Sequence, residues 1–400
     1  MKVKDFDEII FFGSVVPDLL EFRTAAFSRA GNMAQTSIIE GLIEQDMPIT
    51  RVFSFLPQPV FPRSKNIFSK GESVNLVRSK TTLIPYINIP YIKYFSIAIM
   101  LLLYTIFNTS RKKKYLIITY NFSSYIAIPA LVMRMIRKIE IIPILYDVNI
   151  PGETIKKTLL SKTDFHFTKH VLKYCGAAIV ITENVATDLM YGKPYIVIEG
   201  GLSQSQENYG KSFTINEKKS QLFVIVFAGA IEYYNGIDVI LDAFSITENS
   251  NIRLKIAGKG TLTDLVKNRA EKDYRIEYHN YLNVEELVKL YENASLLINH
   301  RSDRRINSRY VFPSKLIEYL STGIPTISTD FASLRSEYKP YLLLLADEDP
   351  GTLALAIKEI AENMSYFKER ANNGQKFIIR EKTWKVQTKK IKDFLLKTEN

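Results

Sequence analysis

The chain has 400 residues, 46% of them hydrophobic and 24% charged, which is enough apolar material for packed cores and enough length for two domains. Its 53 basic and 42 acidic residues leave a charge of +11, which favours anionic partners such as nucleotide phosphates, nucleic acid or anionic lipid. The single cysteine, Cys175, excludes an internal disulfide and a cysteine-based zinc site and fits a reducing cytosol, and no secretory leader is read where Asp5, Asp7 and Glu8 interrupt the start.

In chain order, 8–13 (EIIFFG) predicts a first strand ending in glycine. The polar segment 14–34 predicts a loop, and 35–46 a helix. Gly31 and Asn32 in that loop would let the backbone approach a ligand closely; a plain loop-to-helix turn is the alternative. Short β-rich runs follow at 49–55 and 73–78. The longest apolar run, 95–107 (FSIAIMLLLYTIF), lies in a helix expected over 92–108 and is followed by Arg111-Lys112-Lys113-Lys114. Thirteen residues is short for a membrane span, which leaves a buried core helix or an interfacial helix with a basic flank. Strand 115–119, a helix near 124–137 and strand 140–145 come next, then a loop carrying Asp147. A helical stretch at 153–174, strand 177–181, helix 184–190 and strand 195–198 complete this half. Asp147 falls at the carboxyl edge of its strand, where chemistry is expected; a turn-forming aspartate is the alternative.

Residues 200–220 are rich in Gly, Ser, Gln, Asn and Lys and read as a linker. The alternation then restarts with strand 222–228, ending at Gly229. It continues with helix 237–247, strand 252–257 before Gly258 and Gly260, helix 262–271 and strand 275–279. Helix 284–294, strand 295–299, a short helix at 312–319, strands 324–328 and 341–345, and helix 350–363 follow, with an amphipathic lysine-rich helical tail at 376–399. Such alternation implies parallel sheets covered on both faces, with ligands beyond the carboxyl ends of the strands. The expected division is 1–205, 206–375 and a returning C-terminal helix over 376–400.

Between strand 295–299 and the helix at 312–319 lies a loop with Arg301, Arg304, Arg305 and Arg309. Lys315 and Glu318 share one helix face, opposite Leu316, Ile317 and Leu320. A lysine in the first helical turn opposes the helix dipole unless an anion lies between them. The loop arginines, the helix start and Lys315 therefore suit a diphosphate, and Glu318 a sugar hydroxyl. A solvated Lys/Glu pair beside a basic loop is the alternative. No G-x-x-x-x-G-K-[ST] loop occurs, and GKGTL at 258–262 lacks dinucleotide-fingerprint spacing. His166 and His170 are spaced i, i+4, but nothing nearby completes a metal set. Asp347-Glu348-Asp349 precedes a helix and is read as capping. The basic residues lack the interleaved aromatics of a nucleic-acid module.

Leu297-Ile298-Asn299-His300-Arg301, Phe312-Pro313-Ser314-Lys315-Leu316-Ile317-Glu318-Tyr319-Leu320 and Gly323-Ile324-Pro325 together resemble the donor-site signature of family-four glycosyltransferases with the GT-B fold. The resemblance is greatest to bacterial envelope-polysaccharide members. Gly229, Ala257-Gly258-Lys259-Gly260 and the stretch Glu285-Glu286-Leu287-Val288-Lys289-Leu290-Tyr291 add to it. It implies an α/β protein of two facing Rossmann-like domains with a cleft between them. The implied activity is retaining, metal-independent transfer of a sugar from a nucleotide-diphosphate sugar, UDP-linked, without a cofactor. The expected acceptor is a lipid-linked saccharide; the basic surface and helix 92–108 suit work at the cytoplasmic face of an anionic membrane, and nucleic acid is not expected as a partner. By motif position, Arg301 and Lys315 would neutralise the leaving diphosphate, and Glu318 would bind the ribose. Gly229 and Ser314 would line the donor site, Gly31 and Asn32 would border the donor, and Asp147 would lie near the transferred sugar or acceptor hydroxyl. The chain departs from the pattern at Tyr310, where many relatives carry glutamate, and at Ala230, Asn235 and Tyr146. A non-catalytic sugar-nucleotide-binding partner and a GT-B-like nucleotide-sugar epimerase remain as other readings.

Overall fold

The computed structural model describes residues 6–76, 79–212, 222–247 and 249–397. The chain divides into two units: unit 1 runs to Gly200 and takes in the segment from Trp384 onward, and unit 2 spans Gly201–Thr383.

In unit 1 the elements are β1 (Glu8–Gly13), α1 (Arg29–Ile43), β2 (Ile49–Ser54), β3 (Phe68–Ser69), β4 (Glu72–Leu76), β5 (Ser79–Leu83), β6 (Tyr86–Ile87) and α2 (Ile92–Asn108). They continue with β7 (Tyr115–Tyr120), α3 (Ser124–Ile136), β8 (Ile139–Leu145), α4 (Leu159–Val171), β9 (Ala178–Val180), α5 (Glu183–Leu189) and β10 (Tyr195–Val197). The main sheet has the order β10-β9-β8-β7-β1-β2-β5-β4. It is parallel except at the β4–β5 edge. Strands β1 and β7 are buried at every position, as expected where both faces are covered. The loop expected over 14–34 ends earlier than the sequence suggests. Helix α1 begins at Arg29 because the Ser28 hydroxyl accepts from the Gly31 N–H at 3.1 Å, which is an N-cap. Gly31 and Asn32 are therefore helical.

In unit 2, α6 (Gln204–Ser212) precedes β11 (Phe223–Ala228), α7 (Ile237–Ile246), β12 (Ile252–Ala257), α8 (Thr263–Lys272), β13 (Ile276–His279), α9 (Val284–Glu292) and β14 (Leu296–Asn299). Then come α10 (Lys315–Ser321), β15 (Thr326–Thr329), β16 (Leu343–Leu345), α11 (Pro350–Glu362) and α12 (Met364–Glu381), and α13 (Trp384–Lys397) belongs to unit 1. The sheet order is β13-β12-β11-β14-β15-β16, with every pairing parallel. One apolar layer joins the sheet to α7, α8 and α11 through residues such as Ile240, Val266 and Ile357. The other joins it to α9 and α10 through Leu290, Tyr291 and Tyr319.

The stretch read as a linker holds α6 over its first part, and residues 213–221 lie outside the described residues. The tail read as one helix is two. Between them Leu202 N–H donates to the Lys382 carbonyl at 2.8 Å, and the buried Lys382 ammonium reaches Glu337 at 2.9 Å. These bonds hold the chain out of helical conformation at that point. Helix α13 then packs on α1, with Gln45 Nε2 donating to the Thr388 hydroxyl at 2.9 Å and Trp384, Ile391 and Leu395 in the core of unit 1.

Candidate active site

The carboxyl edge of unit 2's sheet is built by close backbone approach. The Tyr319 hydroxyl, buried beneath β11, accepts from the Ala228 N–H at 2.8 Å and donates to the Ala228 carbonyl at 3.0 Å, which fixes the strand end. Beyond it, Gly229 meets Gly258, whose φ is +141°; a Cβ on Gly258 would lie 1.9 Å from the Gly229 carbonyl oxygen. Beside these glycines lies a cavity of about 320 Å3, lined by Gly229, Ala257, Gly258, Tyr281, Leu282, Leu287 and Lys315 among others. A planar apolar group fits its Leu and Tyr walls, and Lys315 supplies a cation at its rim.

Lys315 is the first residue of α10 and pairs with Glu318 at 3.1 Å. The Glu318 Oε1 also accepts from the Tyr291 hydroxyl at 2.8 Å. Burial, and then the Glu318 charge, push the Tyr291 phenol well above its usual range, so it stays a donor. The Lys/Glu pair foreseen as an alternative does form, and Lys315 lines the cavity as well. Ser314 is exposed, and its hydroxyl caps nothing in the helix.

The basic loop sorts its arginines. Arg301 is anchored by its backbone N–H on the Thr329 hydroxyl at 3.0 Å. Its guanidinium donates to Asn235 Oδ1 at 3.1 Å and stacks 4.8 Å over the Tyr234 ring, while its buried Nε has no partner. Burial pulls its pKa down. Asn235 in turn donates to the carbonyl of Ala230, which also lines the cavity. A cation with an unsatisfied buried N–H is costly unless an acceptor meets it. Arg305 is different: it forms a bidentate pair with Asp238 at 2.6 and 2.8 Å and caps the Tyr233 carbonyl at 2.8 Å. Arg309 stacks 5.7 Å from the Tyr310 ring. The expectation that the loop arginines act together on one anion is therefore corrected for Arg305, whose charge is spent on Asp238. The acidic triplet also has structural work. Asp349 caps α11 through Gly351 N–H at 2.7 Å, and Glu348 accepts from Ser302 at 2.6 Å and from Asp303 N–H at 3.1 Å.

His300, next to Arg301, is buried with no partner on either ring nitrogen. Gly236, at φ +61°, makes room for it, since a Cβ there would lie 2.1 Å from Nδ1. Burial first, and then the Arg305 charge, bring its pKa down to about 4. The unfolded chain takes up this proton near the ordinary histidine pKa of about 6.5. Stability is thus full above that value and is lost progressively down to about pH 4. The melting temperature of wild type is expected to fall between pH 7 and pH 5 by more than that of His300→Gln; equal falls in calorimetric scans would remove His300 as the cause.

In unit 1, Asp147 follows β8 and is exposed. Its Oδ2 accepts from Asn121 Nδ2 at 3.0 Å, and Asn121 Oδ1 accepts the Asp147 N–H at 2.9 Å. Asn121 adopts φ +58°, so it clamps Asp147 at the carboxyl edge of β7 and β8. Asp147 also lines a cavity of about 30 Å3 with Ser123, Asn149 and Asp164. The Asn32 amide donates to the Val16 carbonyl at 3.0 Å and accepts the Val16 N–H at 2.9 Å, two bonds that shape the loop after β1. Gly31 lies beside Ser28 and the Tyr120 hydroxyl. His166 and His170 are exposed on α4.

Asn235, Tyr234, Tyr281 and Tyr291 carry parts of this geometry without having been singled out for it from sequence. Asn235 was visible only as a departure from a family pattern, and Tyr291 only as the last residue of a stretch, Glu285 to Tyr291, that adds to the family resemblance. The signal they share is position: each lies near a strand end or helix end at the carboxyl edge.

Residues 208–377 match the family described as Glycosyl transferases group 1. No curated protein sequence matches the chain. Among solved structures, a sucrose-phosphate synthase from Thermosynechococcus elongatus is similar at TM-score 0.69 and 13% identity, over 96% of this chain and 98% of that one. HepE of Anabaena, in complex with UDP, is similar at TM-score 0.65 and 13% identity, over 97% and 99%. A lipopolysaccharide outer core galactosyltransferase, WaaB, is similar at TM-score 0.63 and 15% identity, over 97% and 99%. The fold is the two-domain α/β arrangement of GT-B glycosyltransferases. The match over 208–377 takes in most of unit 2.

Proposed function

We propose that the protein transfers a sugar, with retention of configuration and without a metal ion, from a UDP-linked donor to a lipid-linked saccharide in bacterial surface polysaccharide synthesis. The observation that carries the donor reading is the buried, partnerless Nε of Arg301, tied through Asn235 to the cavity rimmed by Lys315. A diphosphate oxygen would satisfy that N–H, and Lys315 and Arg301 would offset the charge that develops as the diphosphate leaves. The bond from the anomeric carbon to the phosphate oxygen breaks while the acceptor oxygen bonds on the same face. The acceptor proton passes to the departing phosphate, so no protein nucleophile is needed. Glu318 would accept from ribose hydroxyls, held in place by Tyr291. Asp147, clamped by Asn121, would orient the sugar or the acceptor hydroxyl. Gly229, Ser314 and Gly31 would border the donor.

The similarity to a protein solved with UDP and with UDP-glucose supports uridine. No helix among the described residues is long and apolar enough to cross a membrane. A lipid-linked acceptor would be met by peripheral contact at the cytoplasmic face. One observation favours a non-catalytic sugar-nucleotide-binding partner instead: Tyr310, where many relatives carry glutamate, is buried and only 6% exposed. Glu318→Ala separates the parts of the donor site. Calorimetric titration is expected to show UDP and uridine weakened alike, by about tenfold or more for loss of hydrogen bonds to a charged group. Weakening confined to the sugar portion of the donor would contradict the ribose contact.

A further inference from the structure

Helix α2 is apolar on the side it should show to water. Ile92, Phe95, Ile99, Leu103 and Phe107 recur at i, i+3, i+7, i+11 and i+15, and each is between 38% and 81% exposed. They form one stripe about 22 Å long. The one charged side chain of the helix, Lys93, is buried and donates to the Gln58 carbonyl at 2.6 Å. The neighbouring helix repeats the pattern. Helix α3 packs on α2 and leaves Ile128, Met135 and Ile136 exposed, and the Tyr94 and Tyr125 rings join the two helices at 4.8 Å between centroids. Right-handed crossovers put α2, α3 and α4 on one face of unit 1's sheet. Their N-terminal ends therefore point to the carboxyl edge that carries Asp147.

Charge selects the occupant of this face. Between Glu72 and Glu140 the chain has no Asp or Glu and ten Lys or Arg, against +11 for the whole protein. Arg111, Lys112 and Lys114, after α2, and Lys138, after α3, are exposed. Lys113 is instead paired with Glu8. A symmetric contact between two copies would set this one-sign field against itself.

We propose that the outer face of α2 and α3 docks on an anionic lipid bilayer, with the apolar stripes entering the acyl boundary and Arg111, Lys112, Lys114 and Lys138 meeting lipid phosphates. The proposal builds on the peripheral-membrane reading above and gives it a surface and a lipid class. Its readout needs neither donor nor acceptor, so failure here leaves the donor chemistry standing, and the reverse holds too.

The test is sedimentation of the full chain with phosphatidylcholine vesicles, with and without about one third phosphatidylglycerol. Binding is expected to the anionic vesicles, weakened by salt. Arg111→Gln with Lys112→Gln and Lys114→Gln should lower partitioning by on the order of a hundredfold, about fivefold per charge. Phe95→Ser with Phe107→Ser should lower it by about tenfold or more. Tyr366→Ser, an exposed control in unit 2, should leave it unchanged. Circular dichroism checks folding, and the basic triple variant carries the test if the Phe variant unfolds. Absence of binding to anionic vesicles, or binding indifferent to both variants, would overturn the proposal. A dimer in light scattering that the Phe variant dissociates would overturn it in favour of a second copy.

Discussion

Lys315→Ala is expected to lower kcat/KM for the nucleotide sugar by about a hundredfold or more while barely moving the melting temperature. The two effects separate because the interactions of Lys315 differ in weight. Its pair with Glu318 at 3.1 Å is partly solvated, with about a third of the lysine side chain exposed, and such pairs contribute roughly 0–1 kcal/mol. A positioned cation acting on a leaving diphosphate counts for far more, because the charge it meets appears only as the bond breaks. Steady-state kinetics of donor turnover, run beside thermal scans, make the comparison. Lost stability with intact turnover would return Lys315 to the role of a surface ion pair.

The second large effect is structural. Gly258→Ala should destabilise unit 2 by about 3–5 kcal/mol, since it combines a φ reserved for glycine with overpacking. The φ is +141°, and the added Cβ would lie 1.9 Å from a backbone carbonyl oxygen, which cannot swing aside as a side chain would. The same displacement would part β11 from β12 and deform the cavity, so nucleotide binding should weaken together with stability. A denaturation midpoint equal to that of wild type would mean that the strand ends stand further apart than described.

These two residues also show how much the sequence discloses. The alternating pattern predicts the order of strands and helices closely, because parallel strands buried on both faces read as unbroken apolar runs, as in β1 and β7. Cap chemistry is harder to read from composition: Ser28 starts α1 several residues before the apolar periodicity begins, which turns Gly31 and Asn32 from loop into helix. Lys315 and Glu318 were legible because a helical wheel places them together. Division of labour within the basic loop was not legible, since it depends on partners distant in sequence. Asp238 takes Arg305, while Asn235 and Tyr234 hold Arg301 and leave its Nε open. The outer face of α2 lies between these cases. Its apolar run is plain in the sequence, but whether that run faces a core or the outside is decided by what packs against it.

The most direct measurement is thermal stability of the whole protein against UDP, other nucleoside diphosphates and their sugars, with and without magnesium. A ligand present at about a hundred times its Kd adds about 2.7 kcal/mol to the folded state. The expected result is a stabilising shift with uridine diphosphate compounds, unchanged by magnesium or its chelation and lost in both Arg301→Ala and Lys315→Ala. No shift with any nucleotide, or a shift that both variants retain, would contradict a donor site at the carboxyl edge of unit 2.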